Sequence, residues 1–551
     1  MTGDSSMGSN ERSGARILVD QLRIQKVDSI SCVPGESYLA VLDALYDEDI
    51  NILTCRSEAG AAMMADAYGK LTGRPGICMV SRGPGATNAS PAVHIANHDS
   101  TPLILFIGQV NSTMREREAF QEIDYKAMFG GIAKWVMEID RPERVPELVT
   151  MAFRIAMQGR PGPVVVSLPE DMLIRTCKST DGGYVAPSAP TPARDDVLAV
   201  LGYLQDAKSP LIVLGGTSWL AQDRHLLGKL AEKYDVPVAT SFRGASLLPP
   251  IHPANAGDLG LGRDARLRER LATADVVLLI GGRMSEISSH SYTLLEVPAP
   301  RQRIIRVHPD SMELSRMHGP TLEIEATPHT FCSVLAECLR GEEGDGFKPR
   351  VDEAHKQFVE QSEKSVQLPG EIQFGEMVRW LGGVLPDDGI ICIGAGNYTG
   401  WLARHFCFGE ANIQLASTSS SMGYSVPAAV MAKHIYRHRI IVAFATDDCF
   451  MTNGQEFATA VQYKLPIIVI VLDNCQYGTI RLHQERDYPG RVIATRLRNP
   501  NFAGFAKAFD GYGEVATDLE EFKTAFSNAT ASGVPSIIHC KIDPLAVTRR
   551  D

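Results

Sequence analysis

Two short polar segments carry the residues best suited to chemistry, Thr446-Asp447-Asp448 and Asp473-Asn474. Each directly follows an apolar run, one ending at 445 and the other spanning 466–472, and a helical pattern over 454–464 separates them. Parallel strands joined by a helix place their carboxyl ends at one edge of a sheet, where α/β proteins bind ligands. We therefore expect Asp447 and Asn474 to converge, each with a hard oxygen of the kind that Mg²⁺ prefers.

A helix that begins after Asp448 would add backbone N–H groups suited to a diphosphate. The same residues have a simpler interpretation, in which Asp447 and Asp448 cap a helix and Asp473-Asn474 form an Asx turn. Spacing alone does not decide between a ligand site and these local turns.

Composition limits the classes of protein to which the chain can belong. Its 551 residues are too many for one hydrophobic core, and we expect three domains. A net charge of −11 without a basic run argues against a nucleic-acid partner, and the longest apolar run is too short to span a bilayer. Eleven scattered cysteines without metal-ligand spacing indicate reduced thiols, so we expect a cytoplasmic protein with no membrane partner.

Apolar runs and helical patterns alternate along the chain, which predicts an α/β fold of three doubly wound parallel-sheet domains. We place the domains at 14–177, 196–340 and 370–545, with linkers at 178–195 and 341–369 and a disordered N-terminus at 1–13. The middle domain, expected to be Rossmann-like, has glycine turns at 215–216 and 281–282. Neither turn has the GxGxxG spacing with an acidic partner, so tight turns explain them better than a nucleotide site.

These segments resemble a known family. The spacing and flanks of Asp447 and Asn474 are similar to the thiamine-diphosphate motif that begins GDG and ends NN, and 454–457 and 465–466 are similar to its acetolactate synthase branch. Further segments with the family's pattern are 57–62, 83–88, 108–110, 119–122, 159–163 and 422–429. The resemblance spans 14–545 and implies pyrimidine-binding, middle and diphosphate-binding domains, in that order.

The resemblance implies roles for residues around the cofactor rings. Glu58 matches the catalytic glutamate, which bonds N1′ of the aminopyrimidine; without the resemblance it would be only a helix-dipole partner. Met422 matches an apolar wedge that bends the cofactor into a V shape. Ser420 stands where a backbone carbonyl holds the 4′ amino group.

The resemblance also implies the remaining contacts. Mg²⁺ would be held by Asp447, Asn474 and the main-chain carbonyl of Gln476. Further cofactor contacts would be Asn397, Tyr398, Asp448 and Gly478. Candidate substrate contacts are His98, Gln121, Arg481 and His483, although a structural His98, a solvated Arg481 and a hydrogen-bonded His483 are open alternatives.

The chain departs from the family pattern at Thr446 and Asp448, which replace the glycines of GDG, and at Asp473, which replaces the first Asn of NN. The β-branched Thr446 hinders approach of the backbone to the diphosphate. A carboxylate at Asp448, if about 6 Å from the diphosphate, would cost roughly 3 kcal/mol per charge pair at an effective dielectric constant of 20, or about a hundredfold in affinity. We therefore expect weakened cofactor retention.

Other departures concern the substrate. Ser57 replaces a His common beside the catalytic glutamate, Glu170 replaces a Lys of acetolactate synthases, and His483 lies near their substrate-selecting Trp. Acetolactate formation itself is therefore in question. The family's synthases also bind FAD in the middle domain, but here only Arg283 and the glycine turns point to it, which is too little to predict FAD.

We predict an enzyme, a transferase or lyase, that uses thiamine diphosphate and Mg²⁺ to decarboxylate a 2-oxo acid and to transfer or ligate the resulting acyl carbanion equivalent. The alternative is a catalytically silent paralogue that acts as a cofactor-binding or regulatory subunit. The resemblance implies a homodimer as the minimum active unit and a homotetramer as the usual assembly.

Overall fold

Three parallel six-stranded sheets, each flanked by helices, form the protein. The computed structural model describes residues 11–217, 219–262, 264–340, 348–364 and 366–546. The chain divides into two compact units, the first ending at Ser188 and the second beginning at Ala189. The first unit holds one six-stranded sheet and the second holds two, which confirms the predicted fold class of three α/β domains.

The first unit contains a two-stranded ribbon and one large sheet. Its strands are β1 (Arg12–Ser13), β2 (Ser29–Cys32), β3 (Asn51–Thr54), β4 (Gly76–Val80), β5 (Leu103–Gln109), β6 (Trp135–Glu138), β7 (Pro163–Pro169) and β8 (Thr176–Cys177). Its helices are α1 (Gly14–Ile24), α2 (Leu39–Leu45), α3 (Glu58–Thr72), α4 (Pro84–Asp99), α5 (Tyr125–Phe129), α6 (Val145–Met157) and α7 (Glu170–Ile174). The sheet order is β3-β2-β4-β5-β7-β6, with every pair parallel.

The prediction that residues 1–13 are disordered is wrong for Arg12 and Ser13. They form β1, which pairs antiparallel with β8. The Arg12 guanidinium binds the carboxylates of Asp20 at 2.5 Å and Asp181 at 2.7 Å, and the Ser13 hydroxyl accepts a hydrogen bond from the first turn of α1. Strand β8 and Asp181 are distant from Arg12 in sequence, so local composition did not reveal this pairing. The rest of the predicted tail, residues 1–10, lies outside the described residues.

The middle domain opens the second unit. Its strands are β9 (Pro210–Leu214), β10 (Val238–Thr240), β11 (Asn255–Asp258), β12 (Val276–Ile280), β13 (Arg303–His308) and β14 (Leu322–Glu325). Its helices are α8 (Arg194–Asp206), α9 (Ala221–Tyr234), α10 (Ala265–Thr273), α11 (Ser311–Leu314) and α12 (Pro328–Cys338). The sheet order is β11-β10-β9-β12-β13-β14, all parallel.

The two glycine turns of this domain lie against each other. A Cβ on Gly216 would stand 2.1 Å from the carbonyl oxygen of Gly281, and both residues have positive φ, 71° and 72°. Arg283, which follows the second turn, pairs with Glu313 at 3.2 Å. Contact between the two backbones therefore accounts for these glycines, as the tight-turn interpretation proposed.

The predicted linker at 341–369 contains a helix, α13 (Pro349–Glu363), so the linker interpretation is wrong for those residues. Asp235 holds its first turn, accepting from the backbone N–H of Val351 at 3.0 Å and from the Arg350 guanidinium at 3.0 Å. The helix buries little more than Val351 and Ala354, so its sequence is polar like a loop. Residues 341–347 and 365 of that prediction lie outside the described residues.

The third domain positions most of the predicted site. Its strands are β15 (Ile390–Ile393), β16 (Ile413–Ala416), β17 (Ile441–Thr446), β18 (Ile468–Asp473), β19 (Tyr512–Ala516) and β20 (Ser536–Lys541). Its helices are α14 (Phe374–Val384), α15 (Tyr398–His405), α16 (Ser425–Ile435), α17 (Asp447–Asn453), α18 (Phe457–Gln462), α19 (Gly478–Asp487), α20 (Phe502–Ala508) and α21 (Leu519–Ser532). The sheet order is β16-β15-β17-β18-β20-β19, all parallel.

The helical pattern predicted over 454–464 differs from the structure in its start. The chain becomes helical at Asp447, without a loop after β17, and a 3₁₀ turn at Gly454–Glu456 leads into α18. Helix α17 buries only part of its surface, which hid its periodicity in the sequence.

Burial in the strands matches a doubly covered sheet. The interior strands β4, β5, β9, β12, β15 and β18 are buried at every position, as expected for parallel sheets with helices on both faces. In the described part of the chain, no helix has both the length and the hydropathy to cross a bilayer. All eleven cysteines are free thiols.

Replacing Gly76 with Ala tests how α3, which begins at Glu58, is seated on β4. A Cβ at this position would lie 1.9 Å from the carbonyl oxygen of Ala65 in α3, so helix and strand must move apart. We expect a loss of about 1–3 kcal/mol in the free energy of unfolding, as for other overpacked sites, measured by denaturant unfolding. Gly131→Ala is the control, because nothing lies within 4 Å of its added methyl group. Equal stability of the two variants would contradict this close helix–strand contact.

Candidate active site

The carboxyl ends of β17 and β18 bring the two polar segments of the third domain together. The strands pair in parallel with Thr446 opposite Leu472, so Asp447 and Asp473 emerge beside each other. Asn499 confirms this proximity, because its side-chain amide donates to Asp447 Oδ2 at 2.5 Å and to Asp473 Oδ1 at 2.8 Å. Asn474 follows directly after β18 at the same edge.

Two oxygen atoms at this edge have no hydrogen-bond partner. Asp447 is fully buried and its Oδ1 makes no hydrogen bond, and the same is true of Oδ1 of Asn474. Burial raises the pKa of Asp447. The hydrogen bond from Asn499 lowers this pKa in part, and the nearby carboxylates of Asp473 and Asp448 raise it further. A cation bound by these two oxygens would satisfy both and keep Asp447 ionised. The residues therefore fit the Mg²⁺ that the resemblance implied.

Protein side chains alone would leave such an ion incompletely bound. Within the described residues, no group of three or more His, Cys, Asp or Glu side chains could hold a metal. The protein would supply one carboxylate, one amide oxygen and one backbone carbonyl, which is a small number of ligands. Mg²⁺ can be bound by so few protein ligands when phosphate and water complete its octahedron. The donor set thus suits Mg²⁺ bound together with a diphosphate.

Asp473 has the opposite electrostatic environment. Its Oδ2 accepts from His539 Nε2 at 2.8 Å and from Lys541 Nζ at 2.7 Å, while its Oδ1 accepts from the Cys475 N–H at 3.0 Å. Burial opposes its ionisation, but these donors and Asn499 outweigh burial and lower the pKa of Asp473 well below its usual range. Asp473 is therefore a fixed, charged acceptor at the end of β18.

A cavity opens beside this edge, with an empty volume of about 720 Å³ that includes its mouth. Two helices begin at its wall, α15 after Asn397 and α19 at Gly478. Helix N-termini present N–H groups and a partial positive charge, which favour a diphosphate. The cavity is lined by Gly396, Asn397, Tyr398, Trp401, Thr446, Asp448, Asn474, Gln476, Gly478 and Thr479, together with apolar side chains including Phe374 and Leu472.

Most predicted contacts of the diphosphate lie on this wall, but Tyr398 uses its hydroxyl elsewhere. That hydroxyl donates to the carbonyl of Phe444 at 2.8 Å and accepts from the Gly394 N–H at 2.9 Å. Tyr398 thus ties the ends of β15 and β17 together and offers the cavity only its ring. Gly478 leaves room for the Asn474 side chain, because a Cβ at position 478 would stand 2.9 Å from the Asn474 amide nitrogen.

Thr446 and Asp448, which depart from the family pattern at the start of α17, are accommodated in different ways. The methyl group of Thr446 occupies space beside Gly396, where a Cβ would approach it to 3.0 Å. Asp448 lines the cavity and its Oδ1 accepts from the Cys449 N–H at 2.8 Å. The expectation that N–H groups after Asp448 would be free for a diphosphate is therefore wrong for Cys449, because the Asp448 side chain binds it.

Ser420 and Met422 lie in a turn that contacts α17 but not among the residues that line the cavity. Ser420 has a positive φ of 50°, and the N–H of Gly423 donates to Cys449 Sγ at 3.2 Å. Met422 is half-buried. Their predicted roles toward the cofactor rings remain predictions.

The first unit holds Glu58, the first residue of α3, directly after the turn that follows β3. The Asn88 amide donates to Glu58 Oε2 at 2.7 Å, and Gly85 leaves room for the carboxylate, because a Cβ there would come within 3.3 Å of Oε1. Asn88 and Gly85 belong to α4, which starts at the glycine turn after β4. Glu58 is thus a half-buried carboxylate held at the carboxyl end of a parallel sheet.

The candidate substrate residues of this unit are placed differently. The backbone of Gln121, with φ 64°, lies against Gly83, where a Cβ would meet Gln121 Cβ at 2.7 Å. Gln121 is therefore beside the turn that starts α4, the helix whose Gly85 adjoins the Glu58 carboxylate. The helical rise puts His98 roughly 15 Å from Asn88 along the axis of α4. The structure does not bring His98 to Glu58 within this unit; it is exposed and its ring lies 4.3 Å from that of His94.

Arg481 and His483 lie on α19, a helix that buries none of its residues. Arg481 donates to Gln476 Oε1 at 2.8 Å and is 3.5 Å from Glu485, so its guanidinium is already paired. The Gln476 side chain in turn donates to the carbonyl of Pro544 at 2.6 Å. His483 is exposed. The roles of Arg481 and His483 toward the substrate remain predictions.

Sequence reasoning missed several residues that the structure places at these sites. Lys541 could have been found, because it ends β20, an apolar strand whose carboxyl end meets the same sheet edge. Asn499 had no detectable signal, since it lies in an irregular segment before α20. Glu170, noted only as a departure, forms an ion pair with Arg82.

Comparisons with known proteins agree with this geometry. Three family descriptions match the chain: "Thiamine pyrophosphate enzyme, N-terminal TPP binding domain" at residues 12–128, its central domain at 197–335, and its C-terminal TPP binding domain at 394–540. Each match covers one of the three sheets in whole or in large part.

Similar curated proteins are acetolactate synthases. The isozyme 2 large subunit of Escherichia coli K12 is 26% identical over 97% of this chain and 96% of its own length. A probable large subunit of Methanocaldococcus jannaschii is 28% identical over 96% and 92%, and the acetolactate synthase of Bacillus subtilis is 27% identical over 96% and 93%. With its three domains matched in order and its relatives aligned over nearly their whole length, the chain belongs to the thiamine pyrophosphate enzyme family, in its acetolactate synthase-like branch.

Proposed function

We propose that this protein is a thiamine-diphosphate- and Mg²⁺-dependent enzyme that decarboxylates a 2-oxo acid and transfers or ligates the resulting acyl carbanion equivalent. The observation that carries the proposal is the pair of unpartnered oxygens, Asp447 Oδ1 and Asn474 Oδ1, beside a cavity lined by two helix starts. Buried polar atoms without partners are costly in a folded protein, and a bound cation with its diphosphate removes that cost.

Under this proposal, the residues of the candidate site have defined roles. Asp447, Asn474 and the carbonyl of Gln476 would hold the ion, and the starts of α15 and α19 would hold the diphosphate. Glu58 would hold a proton at the nitrogen of the aminopyrimidine ring, with Asn88 fixing its carboxylate. When bound, thiamine diphosphate supplies an acidic carbon and an electron sink for decarboxylation.

The alternative, a catalytically silent paralogue, would need no carboxylate at position 58. The family match and the retention of Glu58 beside Asn88 favour the catalytic interpretation. We propose a homodimer as the minimum active unit and a homotetramer as the assembly, as the resemblance implied, and a cytoplasmic location, in agreement with the free cysteines. The proposal names the class of 2-oxo acids and no single substrate, because Ser57 replaces a His that is common in the family and Glu170 replaces a Lys of acetolactate synthases.

The proposal predicts thermal stabilisation by the cofactor. Thiamine diphosphate and Mg²⁺ at a hundred times the dissociation constant should stabilise the folded protein by about 2.7 kcal/mol, which raises Tm by roughly 5 °C. Differential scanning fluorimetry with each ligand alone and with both together measures this. The pair should act together, since each completes the other's site. The absence of a shift in Tm at millimolar concentrations of both ligands would contradict the proposed function.

Glu58→Gln should abolish most of the catalytic rate while leaving the fold unchanged. Gln keeps an oxygen that can accept from Asn88 but cannot take up a proton, so we expect the rate of CO₂ release to fall by about 10²–10⁴-fold. The assay measures CO₂ over a panel of 2-oxo acids. Glu147→Gln, an exposed glutamate of the same unit, is the matched control and should keep the wild-type rate. Equal rates for both variants would exclude Glu58 from catalysis.

Asp448→Asn should tighten the binding of thiamine diphosphate. Asn keeps an oxygen for the Cys449 N–H but removes one negative charge from the cavity wall. The gain should be severalfold to about a hundredfold, the larger value being that for one charge pair at about 6 Å and an effective dielectric constant of about 20. Isothermal titration calorimetry measures it, with thiamine as the control ligand, because a ligand without a diphosphate should bind both proteins equally. Unchanged affinity for thiamine diphosphate would show that the Asp448 carboxylate does not weaken binding of the diphosphate.

A further inference from the structure

Asn499 links two carboxylates with a single amide. Its Nδ2 donates one N–H to Asp447 Oδ2 and the other to Asp473 Oδ1. A primary amide has two such hydrogens, so both are used in this bridge. Asn499 lies in an irregular segment before α20, and this bridge is the link it makes to the edge of the third sheet.

The bridge leaves one oxygen of Asp447 available. With Oδ2 bound to Asn499, the carboxylate cannot rotate without losing that hydrogen bond, and Oδ1 remains unpartnered. A carboxylate held through one oxygen presents the other in a fixed direction, as is common behind metal ligands in proteins. Asn499 therefore has the geometry of a residue that positions Asp447.

Asp473 holds Asn499 in this orientation, and it accepts hydrogen bonds at both of its carboxylate oxygens. The Phe502 N–H donates to His539 Nδ1 at 3.2 Å, so the ring proton is on Nε2, which donates to Asp473 Oδ2. Lys541 donates to the same oxygen, and the Cys475 N–H and Asn499 donate to Oδ1. All of these partners are donors, and a carboxylate is an acceptor at both oxygens.

An amide at position 473 would not match these partners. An asparagine side chain there would offer one acceptor oxygen and one NH₂ group, so its NH₂ would face either the His539 and Lys541 donors or the Asn499 and Cys475 donors. Either orientation breaks at least one side of the network. Asp473, which departs from the motif, is thus the residue that its surroundings require.

We propose that Asn499, held by Asp473, is a positioning residue that directs Asp447 Oδ1 toward the bound cation. This inference rests on the proposed function, because it assumes that a divalent cation binds at Asp447 and Asn474. It extends the proposed cation site to residues of β20 and of the segment before α20. It also explains why position 473, which departs from the family pattern, carries a carboxylate.

The test measures divalent-cation affinity directly, independently of catalysis. Mn²⁺ replaces Mg²⁺ as the probe, and electron paramagnetic resonance counts free Mn²⁺ in titrations with saturating thiamine diphosphate. Asn499→Leu removes both hydrogen bonds at similar size and should weaken Mn²⁺ binding by about 10–100-fold, as is typical when partners of metal ligands are lost. Asp473→Asn, which preserves shape, should weaken it in the same direction.

Two further variants separate positioning from folding. Asn412→Leu is the matched control: Asn412 is a buried asparagine of the same domain that bonds the backbone of Pro386, Gly389 and Gly409 before the start of β16, and none of these residues lines the cavity. It should lower Tm as Asn499→Leu does but leave Mn²⁺ affinity unchanged. Asn499→Ser, a smaller change, is measured in case the leucine variant does not fold.

The outcomes distinguish this inference from the proposed function. If wild-type protein binds no Mn²⁺ with thiamine diphosphate present, the proposed function fails. If wild-type protein binds Mn²⁺ and the folded variants at 499 and 473 bind it within twofold, positioning by Asn499 is refuted while the proposed function stands. Selective weakening in those variants, with the Asn412 variant unchanged, supports the inference.

Discussion

The third domain depends on balancing the charge of one buried carboxylate. Asp447 is inaccessible to water, and the carboxylates of Asp473 and Asp448 lie close enough to raise its pKa. An ionised group in this position requires nearby compensation, and the protein's own donors reach only one of its oxygens. The rest of the edge follows from this requirement: donors surround Asp473, helices begin at the cavity, and an amide oxygen is left without a partner.

Much of this arrangement was predictable because it follows from strand order. Parallel strands separated by a helix must end at one edge, so the meeting of Asp447 with the end of β18 needed no knowledge of side-chain packing. The three-domain α/β class followed from the alternation of patterns over the whole chain. Glu58, by contrast, was identifiable only by resemblance, because a glutamate at a helix start is common for reasons unrelated to catalysis.

What the sequence did not predict depends on contacts between distant segments. Asn499 reaches the site from an irregular segment, and Arg12 joins the first unit through Asp20 and Asp181; neither has a periodicity to reveal it. Helix α13 was mistaken for a linker because it is largely exposed and therefore polar. His98, a candidate substrate contact with a structural alternative, lies roughly 15 Å from Asn88 along the axis of α4, and its role stays a prediction.

The position of β20 in the sheet has a consequence for biosynthesis. In the order β18-β20-β19, this strand is inserted between two strands that precede it in the chain, and it brings His539 and Lys541 to Asp473. Until residue 541 has left the ribosome, the sheet has a gap beside β18 and Asp473 lacks two of its donors. The nascent chain therefore cannot complete this edge of the sheet, or the hydrogen bonds to Asp473, until the third domain has been synthesised through β20.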